Sequence, residues 1–208
     1  MTLLAVDTAL GACSVAVIDG DRVLAHRYEE MARGHAEALA PMVEAAMSES
    51  GLAFKDMDRL GVTTGPGTFT GQRVGLAFMR GLRVALNRPL NGVTTLAAMA
   101  AAAGDGVVAA IHDAKRDEVY LEVPGRLGPA VMNFEAAAAL LSDITAPVVL
   151  AGTAAPAMQA RLSGSILSDI RQPDALWVAR LVQRAEPSAD VPRPLYLRAP
   201  DAKLPAAR

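Results

Sequence analysis

The sequence predicts an α/β chain of two lobes, the second reduced, on three observations. Three short alternating apolar segments open the chain in succession, helix-like and strand-like patterns then alternate to about residue 103, and a weaker copy of the opening begins near Val107. With 208 residues, 52% of them apolar, the chain can bury one sizeable core or two small ones. A single cysteine, Cys13, excludes an internal disulfide framework, and its place in the apolar run ACSVAVI predicts a buried thiol. The formal net charge of −2 provides no overall attraction to nucleic acid. The opening MTLLAVDT has no basic segment, and apolar runs such as Leu96 to Ala103 are too short to span a bilayer, so a cytoplasmic protein without membrane anchoring is expected.

The elements follow in order. LLAVDT and CSVAVIDG flank a turn at residues 9–11, and DRVLAHRYEE alternates as a third antiparallel strand after the turn Asp19 to Asp21. From His35, residues Ala38, Leu39, Met42, Val43, Ala46 and Met47 share one helical face, with Gly51 at the C-terminal cap and a kink expected at Pro41. RLGVTTG is a short buried strand, and Thr70 to Leu86 a second helix that stops before Pro89. LNGVTT returns as a strand and LAAMAAAAG as a third helix. In the copy, VVAAIHDAKRDEVYLEV mirrors LLAVDTALGACSVAVI: an apolar strand with an Asp at its end, a turn, an alternating strand. The repeat then reads as truncated, with a Gly/Pro loop after Pro124, a helix from Phe134 to Leu141, the strand PVVLAG, an Ala-rich helix near Thr153 to Leu162 and a last helix near Ala175 to Ala185. The boundary at residues 104–106 divides the chain into lobes of 1–104 and 105–208. Three meander strands, then helix, strand, helix, strand, helix, is the order of the ribonuclease-H-like half-domain of actin-like ATPases and sugar kinases.

The stretch TTGPGTFTGQRVGLAFMRGL contains Gly65, Gly67, Gly71, Gly75 and Gly81. It is not a Walker loop, because Gly65 and Gly71 lie six apart and Gln72 follows, nor a dinucleotide fingerprint, because Thr70 stands where the third glycine belongs. A helix start offers amides to an anion, but Thr68 or Thr70 is expected to cap them instead. Glycine within a helix costs about 1 kcal/mol relative to alanine, so Gly75 and Gly81 imply close backbone approach. Gly71, Val74, Ala77, Phe78, Gly81, Leu82 and Ala85 form one stripe, and Leu76, among Gln72, Arg73, Arg80 and Arg83, is expected to face outward.

In an actin-like fold, an Asp ends the first strand of each lobe beside a glycine-rich phosphate turn. Asp7 with Thr8, and Asp113, are thus candidate nucleotide contacts. DTALGAC has one glycine, however, and DAKRDE has none, its turn being filled by Lys115 and Arg116. The histidines His26, His35 and His112 lack metal-ligand spacing, so neither a metal nor a cofactor is expected.

Together, LLAVDTALGACSVAVI, RGHAEALAPMVEAAM, TGPGTFTGQRVGLAFMRGL, IHDAKRDEVY and PLYLRAPDAKLP resemble the TsaB (YeaZ) family. The resemblance implies a two-lobed actin-like pseudoenzyme, a non-catalytic subunit of the machinery that forms threonylcarbamoyladenosine in tRNA. It would bind the catalytic paralogue TsaD and the ATPase TsaE, reach tRNA only through that complex, and pair with itself as a homodimer when alone. The paralogue's two metal-binding histidines correspond to Thr95 and Met99, which suit no such metal. The implied partner surface comprises His35, Leu39 and Met42 on the first helix and Gln72, Arg73, Leu76, Arg80 and Arg83 on the second. Two enzyme classes compete with a scaffold: a small-molecule kinase would need a glycine turn after Asp113, and a metallopeptidase would need clustered ligands.

Overall fold

A computed structural model describes residues 1–198. Two five-stranded mixed sheets repeat one topology. The first contains β1 (Thr2–Asp7), β2 (Ala12–Asp19), β3 (Arg22–Glu30), β4 (Arg59–Gly65) and β5 (Leu90–Thr94), in the order β3-β2-β1-β4-β5. β1, β2 and β3 are antiparallel neighbours, whereas β4 runs parallel to both β1 and β5. The second contains β6 (Val107–Lys115), β7 (Glu118–Val123), β8 (Leu127–Asn133), β9 (Val148–Ala151) and β10 (Ile166–Leu167), in the equivalent order β8-β7-β6-β9-β10.

The repeat is therefore complete in its strands. The segment expected to be a Gly/Pro loop is β8, paired antiparallel with β7 through Tyr120 opposite Val131 and Leu121 opposite Ala130. Gly128 and Pro129 break the alternation that identifies a strand, but at a sheet edge a proline forfeits no ladder bond. What is reduced is length: α5 (Ala155–Gln159) has 5 residues where its counterpart α2 (Phe69–Leu86) has 18.

α1 (His35–Ser50) runs through Pro41 as one helix and ends on Gly51, whose φ of +70° is the left-handed cap that glycine adopts without steric cost. Together α1 and α2 cover one face of the first sheet over Leu4, Val6, Val15, Val17, Leu60 and Val62. β1 is apolar at both parities, so its other face also requires cover. That cover is α6 (Ala175–Arg184), whose Ala175, Val178, Ala179 and Val182 pack on Leu3, Ala5, Ala16 and Ile18. Residues 175–184, assigned from sequence to the second lobe, thus return to the first sheet. In exchange α3 (Thr95–Ala102) lays Leu96, Met99 and Ala100 against Val108, Ala110 and Ala151 of the second sheet. The opposite face of that sheet is closed by α4 (Phe134–Ser142) and α5.

The orientation of α2 reverses the expectation. Leu76 is 1% exposed, in the same core as Met79, and Gln72 is buried. The exposed side carries Phe69, Arg73, Ala77, Gly81 and Val84, while Val74, Phe78 and Leu82 are half-buried at the margin of the core. Gly81 has open space where a Cβ would stand, so it makes no close internal approach. Apolar residues occupy more than one side of this helix, and periodicity therefore cannot choose the inner one. Gly71 and Gly75 choose it, because a Cβ at Gly71 would collide with the carbonyl of Thr8 and one at Gly75 would lie 2.7 Å from the Thr8 hydroxyl.

Candidate functional site

The two lobes enclose a cleft of about 400 Å³, lined on one side by Leu10, Gly11, Gly67 and Thr68 and on the other by His112, Asp113, Lys115 and Tyr120. The candidate nucleotide contacts Asp7 and Thr8 are engaged with other protein groups. Asp7 is fully buried, its Oδ1 accepting the Thr63 hydroxyl at 2.5 Å and the Ala9 amide at 3.2 Å. Thr8, also buried, donates its hydroxyl to the Gly71 carbonyl at 2.7 Å and accepts the Gly75 amide at 3.0 Å. Neither residue lines the cleft, so of the three candidate nucleotide contacts only Asp113 faces it.

The glycine loop grips the turn between β1 and β2. Thr68 donates its amide to the Ala9 carbonyl at 2.8 Å, and a Cβ on Gly67 would strike that same carbonyl. The Thr68 hydroxyl caps α2 by accepting the Gly71 amide at 3.0 Å, as a threonine at a helix start is suited to do. Gln72 ties the loop to the helix by donating to the Gly67 carbonyl at 2.8 Å. On the β1–β2 turn itself, the Gly11 amide is taken by Gln172 Oε1 at 3.0 Å. The glycines serve backbone approach, and the amides of Gly11, Thr68 and Gly71 are taken by acceptors within the protein.

The second turn departs further from a cradle. Lys115, Arg116 and Asp117 all have φ between +58° and +65°, a left-handed run of residues that carry side chains. Asp113 accepts the Lys115 amide and pairs with its ammonium, both at 2.8 Å, and these bonds hold its carboxyl below the usual range. The Thr153 hydroxyl oxygen accepts the Asp113 amide at 3.1 Å and hydrogen-bonds His112 Nδ1 at 3.0 Å. Burial pushes His112 down to about 4, so it is neutral at pH 7. Thr95 and Met99, both on α3, are fully buried, and among the described residues no three His, Cys, Asp or Glu side chains are grouped to hold a metal ion. His35 hydrogen-bonds the Leu10 carbonyl through Nε2 at 2.9 Å, tying α1 to the first turn. Cys13 is buried, with its thiol pushed up to about 12.

Burial also raises the Asp7 carboxyl from 3.8 to about 7, and its Oδ2 has no hydrogen-bond partner among the described residues. Between those values the native state holds a proton that the unfolded chain releases, so this residue's contribution to stability falls as pH rises through that window and is level above it. Asp7→Asn is expected to remove the decline. Its melting temperature relative to the parent should climb from about pH 4 to about pH 7 and then plateau. Parallel melting curves across that range would mean that native Asp7 is already ionised at pH 4.

The surface residues sort differently from expectation. Leu39, Gln72 and Leu76 are buried and unavailable to a partner, while His35 and Met42 are half-buried. Arg80 and Arg83 serve the chain's own C-terminal segment: Arg80 Nε donates to the Pro192 carbonyl at 3.0 Å, and Arg83 reaches the Ala189 carbonyl at 3.4 Å. Arg73 donates to the Tyr196 hydroxyl at 2.8 Å but stays exposed. Sequence reasoning missed Phe69, 61% exposed, and Val84, 77% exposed. Spacing places Phe69 on one helical face with Arg73, Ala77 and Gly81, but only the inward turn of Gly71 and Gly75 shows that this face is the outer one.

With this geometry in hand, the chain can be set beside known proteins. The family model described as TsaD, tRNA N6-adenosine threonylcarbamoyltransferase, matches residues 24–161. The tRNA threonylcarbamoyladenosine biosynthesis protein TsaB of Haemophilus influenzae is 34% identical over 227 residues, covering 95% of this chain and 94% of that protein. The chain belongs to the TsaB/YeaZ family. The Escherichia coli TsaB is 40% identical over 124 residues, a match spanning 58% of this chain and 53% of that protein. Among solved structures, YeaZ from Pseudomonas aeruginosa superposes with a TM-score of 0.79 at 31% identity, over 94% of this chain and 100% of that one. A likeness in fold alone extends to component A of the Acidaminococcus fermentans (R)-2-hydroxyglutaryl-CoA dehydratase, with a TM-score of 0.50 at 12% identity over 86% of this chain and 96% of that one. The TsaB-like fold is thus an actin-like α/β fold in which the glycine loop is a packing device. Of the tail PLYLRAPDAKLP that contributes to the TsaB resemblance, residues 199–205 lie outside the described residues. No helix among the described residues is long and apolar enough to cross a membrane.

Proposed function

We propose that this TsaB-family chain is a non-catalytic, cytoplasmic docking subunit of tRNA threonylcarbamoyladenosine synthesis, binding a TsaD-like catalytic paralogue and acting beside a TsaE-like ATPase. The observation that carries this is the outward face of α2, where Ala77, Gly81 and Val84 are exposed on a helix whose opposite side is seated in the core. Small residues there let a second helix approach closely, and Val84 offers apolar area to bury. Charge supports a partner built alike. α1 exposes Glu37 and Glu44, whereas α2 exposes Arg73, so a subunit of the same fold turned by a two-fold axis could set acidic against basic side chains. A paralogue and a second copy would both satisfy that geometry, so self-pairing is expected when the chain is alone. The engaged amides of Gly11, Thr68 and Gly71 and the side-chain-filled turn at Lys115 to Asp117 support a role without turnover, and tRNA would be met through the assembled complex.

Gly81→Glu is the test. The position has open space around it, so the variant should melt within a few degrees of the parent, while the added charge on a close-packed face should weaken binding to the TsaD-like subunit by tenfold or more, about 1.4 kcal/mol. Calorimetric titration and sedimentation report both subunit affinity and self-association. Parental affinity in this variant would move the docking surface off α2.

A further inference from the structure

After α6 the chain runs on without regular secondary structure, yet it is fastened at successive points. Asn91 Nδ2 donates to the Glu186 carbonyl at 2.8 Å, Arg80 holds Pro192, and the Leu195 amide donates to the Thr64 carbonyl at 2.8 Å. These bonds deliver Tyr196 to the first turn of α2. Its ring centroid lies 6.2 Å from that of Phe69, with the planes 22° apart. The Arg73 guanidinium is 3.5 Å above the Phe69 ring and 5.8 Å from the Tyr196 ring. Phe69 is 61% and Tyr196 48% exposed, in a chain with only 4% aromatic residues, so an exposed pair at one place calls for an explanation. Arg73 uses Nε on the Tyr196 hydroxyl, and among the described residues it forms no ion pair.

We infer that Phe69, Arg73 and Tyr196 form an anchor at one end of the partner face, which receives an Asp or Glu carboxylate flanked by an aliphatic side chain on the docked subunit. The anchor presupposes the docking role proposed above and adds to it a contribution from the C-terminal segment. Three physical features select this occupant. Stacking against the ring and the Nε bond fix the guanidinium plane in advance, which lowers the ordering cost of a bidentate carboxylate contact. The rings offer apolar area beside that charge, in the Tyr and Arg composition from which interface hot spots are drawn. The cluster also continues along the helix into Ala77 and Gly81, one turn at a time. A nucleic acid fits less well, because the neighbouring Arg80 and Arg83 are spent on backbone carbonyls and the chain carries a net charge of −2, leaving few phosphate contacts around the rings.

The experiment uses the full chain and the TsaD-like subunit, with affinity measured at low and high salt. Phe69→Ala and Tyr196→Ala should each raise Kd about tenfold, and Arg73→Gln should flatten the salt dependence of Kd. Should the alanine variants melt far below the parent, Phe69→Leu and Tyr196→Leu keep the apolar bulk and remove the stacking, and the same rise in Kd is expected. If the ring variants bind like the parent while Gly81→Glu does not, the anchor is overturned and the docking face stands. If Gly81→Glu also binds like the parent, the docking surface lies off α2 and the anchor falls with it; if the parent chain itself does not bind the TsaD-like subunit, the docking role fails. Unchanged subunit affinity with weakened retention of tRNA by the assembled complex would overturn the anchor in favour of base stacking.

Discussion

Leu76→Glu is expected to unfold the first lobe. The side chain is 1% exposed among apolar neighbours that include Met79 and Leu60, and nothing in that core can pair with a carboxylate. An uncompensated buried charge costs about 3 to 5 kcal/mol, a large fraction of the roughly 5 to 15 kcal/mol that holds a domain together. The variant should lose its cooperative melt, or melt tens of degrees lower, with the loss eased at acidic pH where the new carboxyl protonates. Gly81→Glu, five positions along the same helix, should leave melting nearly unchanged. The pair reads the rotation of α2 directly: a Leu76→Glu protein that melts like the parent would place that residue on the surface and reverse the assignment of faces.

Removing α6 should be as damaging as that substitution, although it deletes residues far along the chain. A protein ending at residue 174 exposes Leu3, Ala5, Ala16 and Ile18, which now lie under Val178, Ala179 and Val182. Leu3 and Ile18 alone lose burial worth about 1.5 to 3 kcal/mol each. Arg59 also loses the carbonyls of Val182 and Ala185, to which it donates at 2.9 and 2.5 Å, and His26 loses Asp174 as the cap that joins β3 to α6 if the cut is made before it. Chains ending at residue 104 and at residue 174 should both bind a hydrophobic dye and lack a cooperative transition. A soluble, cooperatively melting 1–104 chain would show that the first sheet closes without the returning helix.

Much of this fold was written locally. Alternation in LLAVDT and CSVAVIDG, the glycine stop at Gly51 and the threonine at the start of α2 each act within one or two turns of chain, so composition and spacing carry them. The resemblance to the TsaB family rested on the same short stretches. β8 escaped because Gly128 and Pro129 spoil its pattern, and only its position at a sheet edge makes them harmless.

By itself the sequence determined the α/β order of the first lobe and the start of its second copy, the buried thiol of Cys13, and the misfit of the glycine loop to either named phosphate cradle. The rotation of α2, the return of α6 to the first sheet and the employment of Arg80 and Arg83 as clamps on the C-terminal segment were decided only in three dimensions. The reason is one of range. Periodicity states that a helix has an apolar side, but Thr8 is 63 residues from Gly71, and Leu3 is 175 residues from Val178. Which apolar side turns inward, and which helix covers which sheet, depends on close approach between segments that no local pattern relates.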